Sequence, residues 1–339
     1  MICWFTQLPQ FELRRAIGCT ALWVFFCLPA CAGPQSALDP AGRGAEDIAA
    51  LFWWMAAGAV IIWTAVVALA IYAIRLKDEP HSRRGAALLI IGGGTVVPTL
   101  VLGGLLAYGL SLLPELLGAQ KASSVKIIVS GEQWWWRVGY STADGVVVLA
   151  NEIRLPVGEV AEFELASPDV IHSFWIPPLG GKMDMIPGRK TRLTLEPTRT
   201  GVFRGACAEY CGTSHALMSF YVVVHEKDDF ARWLAHQAKP ANSPTEPRAA
   251  RGKELFLANG CGACHTIRGT PAEGMIGPDL THVGSRLSLG AGMLPNNPDA
   301  FFRWIAETEK VKPGVHMPAF GMLPPEDVRA MAAYMEALE

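Results

Sequence analysis

Cys207-Ala208-Glu209-Tyr210-Cys211-Gly212-Thr213-Ser214-His215-Ala216-Leu217-Met218 is the stretch that decides what this chain is built to hold. Two thiols, an imidazole and a thioether fall within twelve positions, and a second imidazole, His172, lies 35 residues before Cys207. Zinc would accept two cysteines and two histidines. It has little use for a thioether, whereas thiolate and thioether donors together with imidazole favour copper. Without a metal the stretch would be a disulfide or a pair of buried thiols beside an incidental His and Met, and four candidate ligands in one loop would be coincidence.

The flanks of the loop read as β-structure. Residues 162–165 and 191–196 alternate, and 125–129, 146–149 and 220–224 are β-branched or aromatic runs. Pro156-Val157-Gly158, Pro177-Pro178 and Pro187-Gly188 punctuate them. Short strands separated by turn signals predict an antiparallel sandwich or barrel. The first helical pattern after it covers 227–238.

Residues 239–247, Lys-Pro-Ala-Asn-Ser-Pro-Thr-Glu-Pro, are polar and proline-rich, the composition of a semi-rigid linker. Beyond them Cys261-Gly262-Ala263-Cys264-His265 has the spacing of a c-type haem attachment site. Two thiols bond the haem vinyl groups, and the adjacent histidine is then placed under the iron. A thioredoxin-like redox pair would leave His265 unexplained. Helical patterns at 251–259 and 330–338 would cross to enclose the haem. The sixth ligand is expected to be Met317, in His316-Met317-Pro318, ahead of Met322, His316, Met293 and Met275. His282 reads as a surface residue.

At the other end, Arg14 and Arg15 precede an uncharged run at 16–30, the pattern of a secretory signal. Leu28-Pro29-Ala30-Cys31 resembles a lipoprotein cleavage box, which would make Cys31 the lipidated first residue. An uncleaved anchor with an incidental cysteine is the other reading. Then come 27 uncharged residues between Asp47 and Arg75 and 30 between Arg84 and Glu115. A span needs about 20 apolar residues, so both qualify, with spans expected at 49–74 and 86–114. The basic loop between them, with Arg75, Lys77, Arg83 and Arg84, belongs in the cytoplasm. Both outer ends, and everything after about 118, are then outside.

The loop, the hairpin and several flanking motifs together resemble cytochrome c oxidase subunit II with a fused C-terminal cytochrome c domain, the caa-type arrangement of the haem–copper oxidases. Val170-Ile171-His172-Ser173-Phe174, Lys182-Met183-Asp184-Met185-Ile186-Pro187-Gly188-Arg189 and Gly131-Glu132-Gln133-Trp134-Trp135-Trp136 carry the resemblance beyond the loop. Gly277-Pro278-Asp279-Leu280 resembles the cytochrome turn whose proline lies behind the proximal histidine ring.

The resemblance implies a fold: a two-helix transmembrane hairpin, a cupredoxin-like β-sandwich or barrel, and an all-α class-I-like cytochrome c domain. It implies two copper ions in a binuclear CuA centre. Cys207 and Cys211 would bridge them, His172 and His215 would bind one each, and Met218 and the Glu209 carbonyl would be weak ligands. The Glu209 side chain would face a magnesium ion at the interface with subunit I. Trp134 would be the residue through which electrons enter. For the rest of the Trp run, a core strand or an aromatic belt at the membrane interface is the other reading. Haem c would be bound covalently by Cys261 and Cys264, with His265 and Met317 on the iron. The implied partners are subunit I, subunit III, lipid, and a donor such as a cytochrome c or a quinol-oxidising complex. One departure stands out: near Ile91, where the family carries an acid that helps admit protons, the second apolar run has none.

The organisation expected is therefore a signal peptide at 1–30, a membrane segment at 31–118, a copper domain at 119–238, a linker at 239–247 and a cytochrome at 248–339. The location would be the bacterial inner membrane, with both domains periplasmic. The function would be to carry electrons from the donor through haem c and CuA to subunit I, where oxygen is reduced and protons are translocated. The alternatives are the electron-accepting subunit of another CuA-containing reductase, such as a nitric oxide reductase, and a copper-binding lipoprotein. Lys plus Arg is 29 against Asp plus Glu 31, so the chain lacks the basic excess of a nucleic-acid binder. With 51% hydrophobic residues it is also too apolar for a disordered chain. The copper domain is neutral overall, so a tethered donor would replace charge steering with effective concentration.

Overall fold

The computed structural model describes residues 32–75, 82–116 and 123–339. The expected signal peptide and Cys31 lie outside the described residues. Helix α1 (Arg43–Arg75) runs for 33 residues. Helix α2 (Arg83–Ala87), capped by Ser82 Oγ accepting from Gly85 N, continues through a π-helical stretch, Leu88–Val96, into α3 (Val97–Leu116). Both stretches are long and apolar enough to cross a bilayer. Ile61, Trp63, Leu88 and Leu100 all stand outward. A helix that is apolar all round suits lipid rather than one buried face. Pro98 sits directly after the π stretch, where a widened turn accommodates a residue that cannot donate to the ladder.

The segment before α1 is sewn to the β domain. Ala41 N donates to Pro178 O at 2.7 Å, Arg43 N to Glu196 O at 3.0 Å, and Thr198 N to Ala41 O at 2.8 Å. Arg199 pairs with Asp39 at 3.0 Å. A Cβ on Gly42 would stand 2.4 Å from Leu179 O, so the chain passes where only glycine fits.

The β domain is a sandwich of two five-stranded sheets. The first contains β1 (Val125–Glu132), β2 (Trp135–Thr142), β3 (Gly145–Ala150), β5 (Ala161–Ala166) and β8 (Thr191–Leu195), in the order β3-β2-β1-β5-β8. The second contains β4 (Glu152–Pro156), β6 (His172–Trp175), β7 (Met183–Met185), β9 (Gly201–Cys207) and β10 (Ser219–His225), in the order β4-β10-β9-β6-β7. The sandwich is not wholly antiparallel as expected, because β1–β5 and β4–β10 pair in parallel. Each of these pairs joins strands distant in sequence, so no hairpin forces them antiparallel.

Trp136, fully buried, meets Phe174 at 5.6 Å and Phe220 at 5.1 Å in edge-on contacts across the two sheets. That settles Trp136 as a core residue. Helix α4 (Lys227–Gln237) closes the far end, with Trp233 edge-on to Tyr140 at 5.4 Å.

Pro247 opens α5 (Pro247–Ala258), where Glu246 caps by accepting from Ala249 N, so the helix starts at the last residue of the expected linker. Proline at a first helical position loses no hydrogen bond. The cytochrome domain continues through a short ribbon, β11 (Ser288–Leu289) and β12 (Leu294–Pro295). Helices α6 (Pro298–Ala306), α7 (Thr308–Val311) and α8 (Pro325–Glu336) complete it. As expected, the first and last helices cross. At the crossing a Cβ on Gly252 would stand 1.9 Å from Ala330 O. His282 is buried rather than superficial: its ring nitrogens bond Glu339 O at 2.8 Å and Lys239 O at 3.0 Å, tying the linker to the C-terminus.

Gly252→Val should force α5 and α8 apart at a cost of about 1–3 kcal/mol, the usual penalty of overpacking. Hydrogen exchange would show it as faster exchange of α5 and α8 amides, with the sandwich amides unchanged.

Candidate metal centre and haem site

Strand pairing brings the distant donors together. Phe174 is paired with Cys207 across β6 and β9, and Ala208 N donates to Ser173 O at 2.9 Å, so His172 is drawn beside the loop. The loop is the connection between β9 and β10, closed at its base by Cys207 N donating to Met218 O at 2.9 Å. The Cys207 and Cys211 sulfurs are 3.8 Å apart, and both thiols are free and buried. His172 Nδ1 is 3.8 Å from Cys207 Sγ and His215 Nδ1 is 3.5 Å from Cys211 Sγ. Met218 Sδ is 3.8 Å from Cys211 Sγ, and the Glu209 carbonyl is 3.1 Å from Cys207 Sγ. Every donor expected from the sequence thus converges on one sulfur pair. The Glu209 side chain is exposed, beside exposed Tyr210.

The two thiols influence each other's protonation. The hydrogen bond from Cys211 draws Cys207 down to about 3, against burial and with help from His172. Cys211 is pushed up by the thiolate beside it and by burial. A low-lying thiolate among imidazole and thioether donors is the chemistry soft or borderline metals bind, and the donor set fits copper.

Asp169 was not singled out from the sequence. Its Oδ1 lies 2.9 Å from His172 Nε2, and its Oδ2 accepts from Gln133 N at 2.7 Å. That bond places the ring proton on Nε2 and leaves Nδ1 free to face the sulfur, the usual way a carboxylate orients a ligating histidine. Its position three residues before His172 was the only clue in the chain. Gln133 Nε2 and Trp134 Nε1 both donate to Cys211 O, at 2.7 and 2.9 Å. Trp134, expected as a functional residue, therefore holds the backbone of a ligand. Gly212 has φ +112°, and a Cβ there would meet Gln133 Nε2 and Trp134 Cζ2 at 3.0 Å, so the loop closes on these residues only with glycine. Trp135 instead lies half-buried under the Arg137 guanidinium at 4.6 Å.

In the cytochrome domain a 3₁₀ turn (Cys261–Ala263) carries the attachment motif, with His265 N donating to Cys261 O at 3.1 Å. His265 Nδ1 lies 2.8 Å from Pro278 O, which leaves Nε2 free, and burial lowers the imidazole's pKa so that the ring stays neutral. Free, half-buried Cys261 and Cys264 beside a neutral, oriented imidazole fit covalent haem. Met317 is half-buried on the loop between α7 and α8, while Met322 and Met275 are exposed.

Fold and site together define a cupredoxin-like metal domain joined to a c-type cytochrome domain behind two apolar helices. Residues 144–226 match the family model for the cytochrome c oxidase subunit II periplasmic domain, and 249–339 match that for cytochrome c. The chain carries a cytochrome c oxidase subunit II periplasmic domain followed by a C-terminal cytochrome c domain. It is 39% identical over 217 residues to cytochrome c oxidase subunit 2 of Alkalihalophilus pseudofirmus, covering 64% of this chain and 62% of that one. Against the protein of that name from Bacillus sp. (strain PS3) the identity is 34% over 228 residues, covering 64% and 63%. The chain thus spans less than two thirds of the length of these curated relatives. A crystal structure of the periplasmic domain of subunit II of cytochrome oxidase of Bradyrhizobium japonicum is 31% identical, with TM-score 0.33, covering 34% of this chain and 95% of that one.

Asp169→Ala should lower copper affinity about 10–100-fold, the typical cost of removing the partner of a ligating histidine. Competition against a chelator of known affinity measures it, with circular dichroism confirming an intact sandwich.

Proposed function

We propose that this chain is the electron-carrying second subunit of a haem–copper terminal oxidase. The observation that carries the reading is the convergence of two histidines, two cysteines, a methionine and a carbonyl on one sulfur pair, in a chain that also holds an oriented c-type haem motif. Cys207, Cys211, His172, His215, Met218 and the Glu209 carbonyl would together hold the two copper ions of a binuclear centre. Haem c would be attached through Cys261 and Cys264, with His265 and Met317 as axial ligands. When bound, the two groups would supply one-electron redox chemistry, suited to a chain that carries electrons from an external donor toward subunit I, where oxygen would be reduced with proton translocation.

The chain's own residues do the positioning. Asp169 holds the His172 ring. Trp134 and Gln133 pin the Cys211 backbone. Pro278 fixes His265 in the cytochrome domain, and the sandwich keeps Asp169, His172 and the Cys211 backbone from moving as charge arrives. The exposed Glu209 carboxylate supports a magnesium site at the face toward subunit I. Subunit III and lipid are further partners. The two apolar helices support anchoring in the inner membrane with both domains periplasmic; the Arg14-Arg15 pair, the uncharged run at 16–30 and the Leu28-Pro29-Ala30-Cys31 box support a cleaved leader at 1–30 and lipidation at Cys31. The domain limits proposed are 31–118 for the anchor, 119–238 for the copper domain, 239–247 for the linker and 248–339 for the cytochrome.

Optical and electron paramagnetic resonance spectra of the full chain test this reading. A low-spin c-type haem and a mixed-valence two-copper signal are expected. Cys207→Ala should abolish the copper signal and spare the haem. Zinc, a single copper or no metal in the sandwich would overturn it.

A further inference from the structure

Lys312 is the one buried lysine among the described residues, 1% exposed, and neither carrier site uses it. Its Nζ donates to Trp134 O at 2.6 Å, Leu217 O at 2.9 Å and Gly290 O at 3.0 Å. The acceptors come from the turn between β1 and β2, the end of the copper loop, and the β11–β12 turn of the cytochrome domain itself. Three carbonyls match the three N–H groups of an ammonium, whereas a neutral amine has only two. Taking an ammonium out of water is costly unless each donor is satisfied. Undocked, Lys312 would keep only its own domain's carbonyl, so the buried charge is fully satisfied in one arrangement of the two domains.

The neighbouring contacts agree. Ser214 Oγ, in the copper loop, donates to Pro313 O at 2.6 Å. Gly314 has φ +80°, and a Cβ there would meet Trp134 Cη2 and Cζ3 at 3.0 Å, so the backbone lies on the indole. Trp134 is left 7% exposed, with Gly212 on one part of the ring and Gly314 on another. Ser219 N and Oγ both donate to Ala291 O, at 3.2 and 2.9 Å. Leu287 N donates to Glu152 Oε2 at 2.7 Å, and Arg137 Nη2 to Met275 O at 2.9 Å. Among the described residues no ion pair joins the two domains, so exposed charge, the part salt would screen, contributes little.

We propose that Lys312 is a buried latch that keeps the cytochrome domain seated on the copper loop with Gly314 closed over Trp134, so that electrons reach the copper centre only through the cytochrome domain. The part about electrons rests on the function proposed above; the latch itself rests on the contacts alone. Lys312 is a positioning residue, since it touches neither haem nor copper ligands. A soluble donor that could otherwise dock on Trp134 finds the indole covered and must use the cytochrome domain.

Hydrogen exchange on the full chain tests the latch without reference to either cofactor. In the unaltered chain the domain-bridging amides of Ser219 and Leu287 should exchange at least about 100-fold more slowly than in an unstructured peptide, at both low and high salt. In Lys312→Met, which keeps the stem and removes the charge, they should lose about 10-fold or more of that protection, while Val222 and Ala332 keep theirs. Equal protection in the variant would overturn the latch. So would unprotected bridging amides in the unaltered chain, which decides the matter even if the variant does not fold. Stopped-flow mixing with a reduced soluble cytochrome c reads the second half. Copper in the unaltered chain should follow the haem with no earlier phase, and Lys312→Met should gain a direct phase. A direct phase in the unaltered chain would overturn it. Failure of the function proposed above would show differently, as missing copper or haem signals with the exchange protection intact.

Discussion

The separation of two sulfurs, 3.8 Å, is the constraint that the loop and the strands beneath it jointly set. A disulfide there would need the sulfurs about 2 Å apart and would remove both donors. The loop is tied at its base, at its middle and on its outer side. Cys207 N bonds Met218 O at the base, Gln133 and Trp134 grip Cys211 O, and Ser214 reaches across to Pro313. Beneath it, Trp136, Phe174 and Phe220 pack as a continuous aromatic block. Because Phe174 is also the strand partner of Cys207, the core and the site share one rigid register.

The arrangement has electrostatic logic as well. Asp169 is held as a carboxylate by the Val170 and Gln133 amides and by His172, which together outweigh its partial burial. The His172 ring is thus fixed by a charge outside the site, while its inward nitrogen stays free. The haem motif follows the same plan with a neutral partner, the Pro278 carbonyl. In both domains a backbone or side-chain oxygen fixes the orientation of an imidazole ring.

Local pattern made much of this legible. The twelve-residue loop, the Cys-x-x-Cys-His motif, the apolar runs and the alternating strands are short-range signals, and the structure places each where its pattern implies. What sequence did not disclose depends on partners far apart in the chain. The parallel pairing of β1 with β5 and β4 with β10 is set by how the sheets close, not by any turn. His282 read as superficial because nothing nearby shows that the C-terminal carbonyl and the linker fold over it. Lys312 lies close to exposed Glu309 and Lys310 in the sequence, and its burial depends on docking against Trp134 and Leu217, 178 and 95 residues away.

The stitching of residues 39–43 to the sandwich has a mechanical consequence. Helix α1 meets the β domain through backbone hydrogen bonds to Pro178, Glu196 and Thr198 on two sides of a glycine that leaves no clearance. The junction is a weld rather than a hinge. Any rocking of α1 must turn the sandwich with it as one lever, and the loop at 207–218 keeps a constant pitch relative to the helix that carries it.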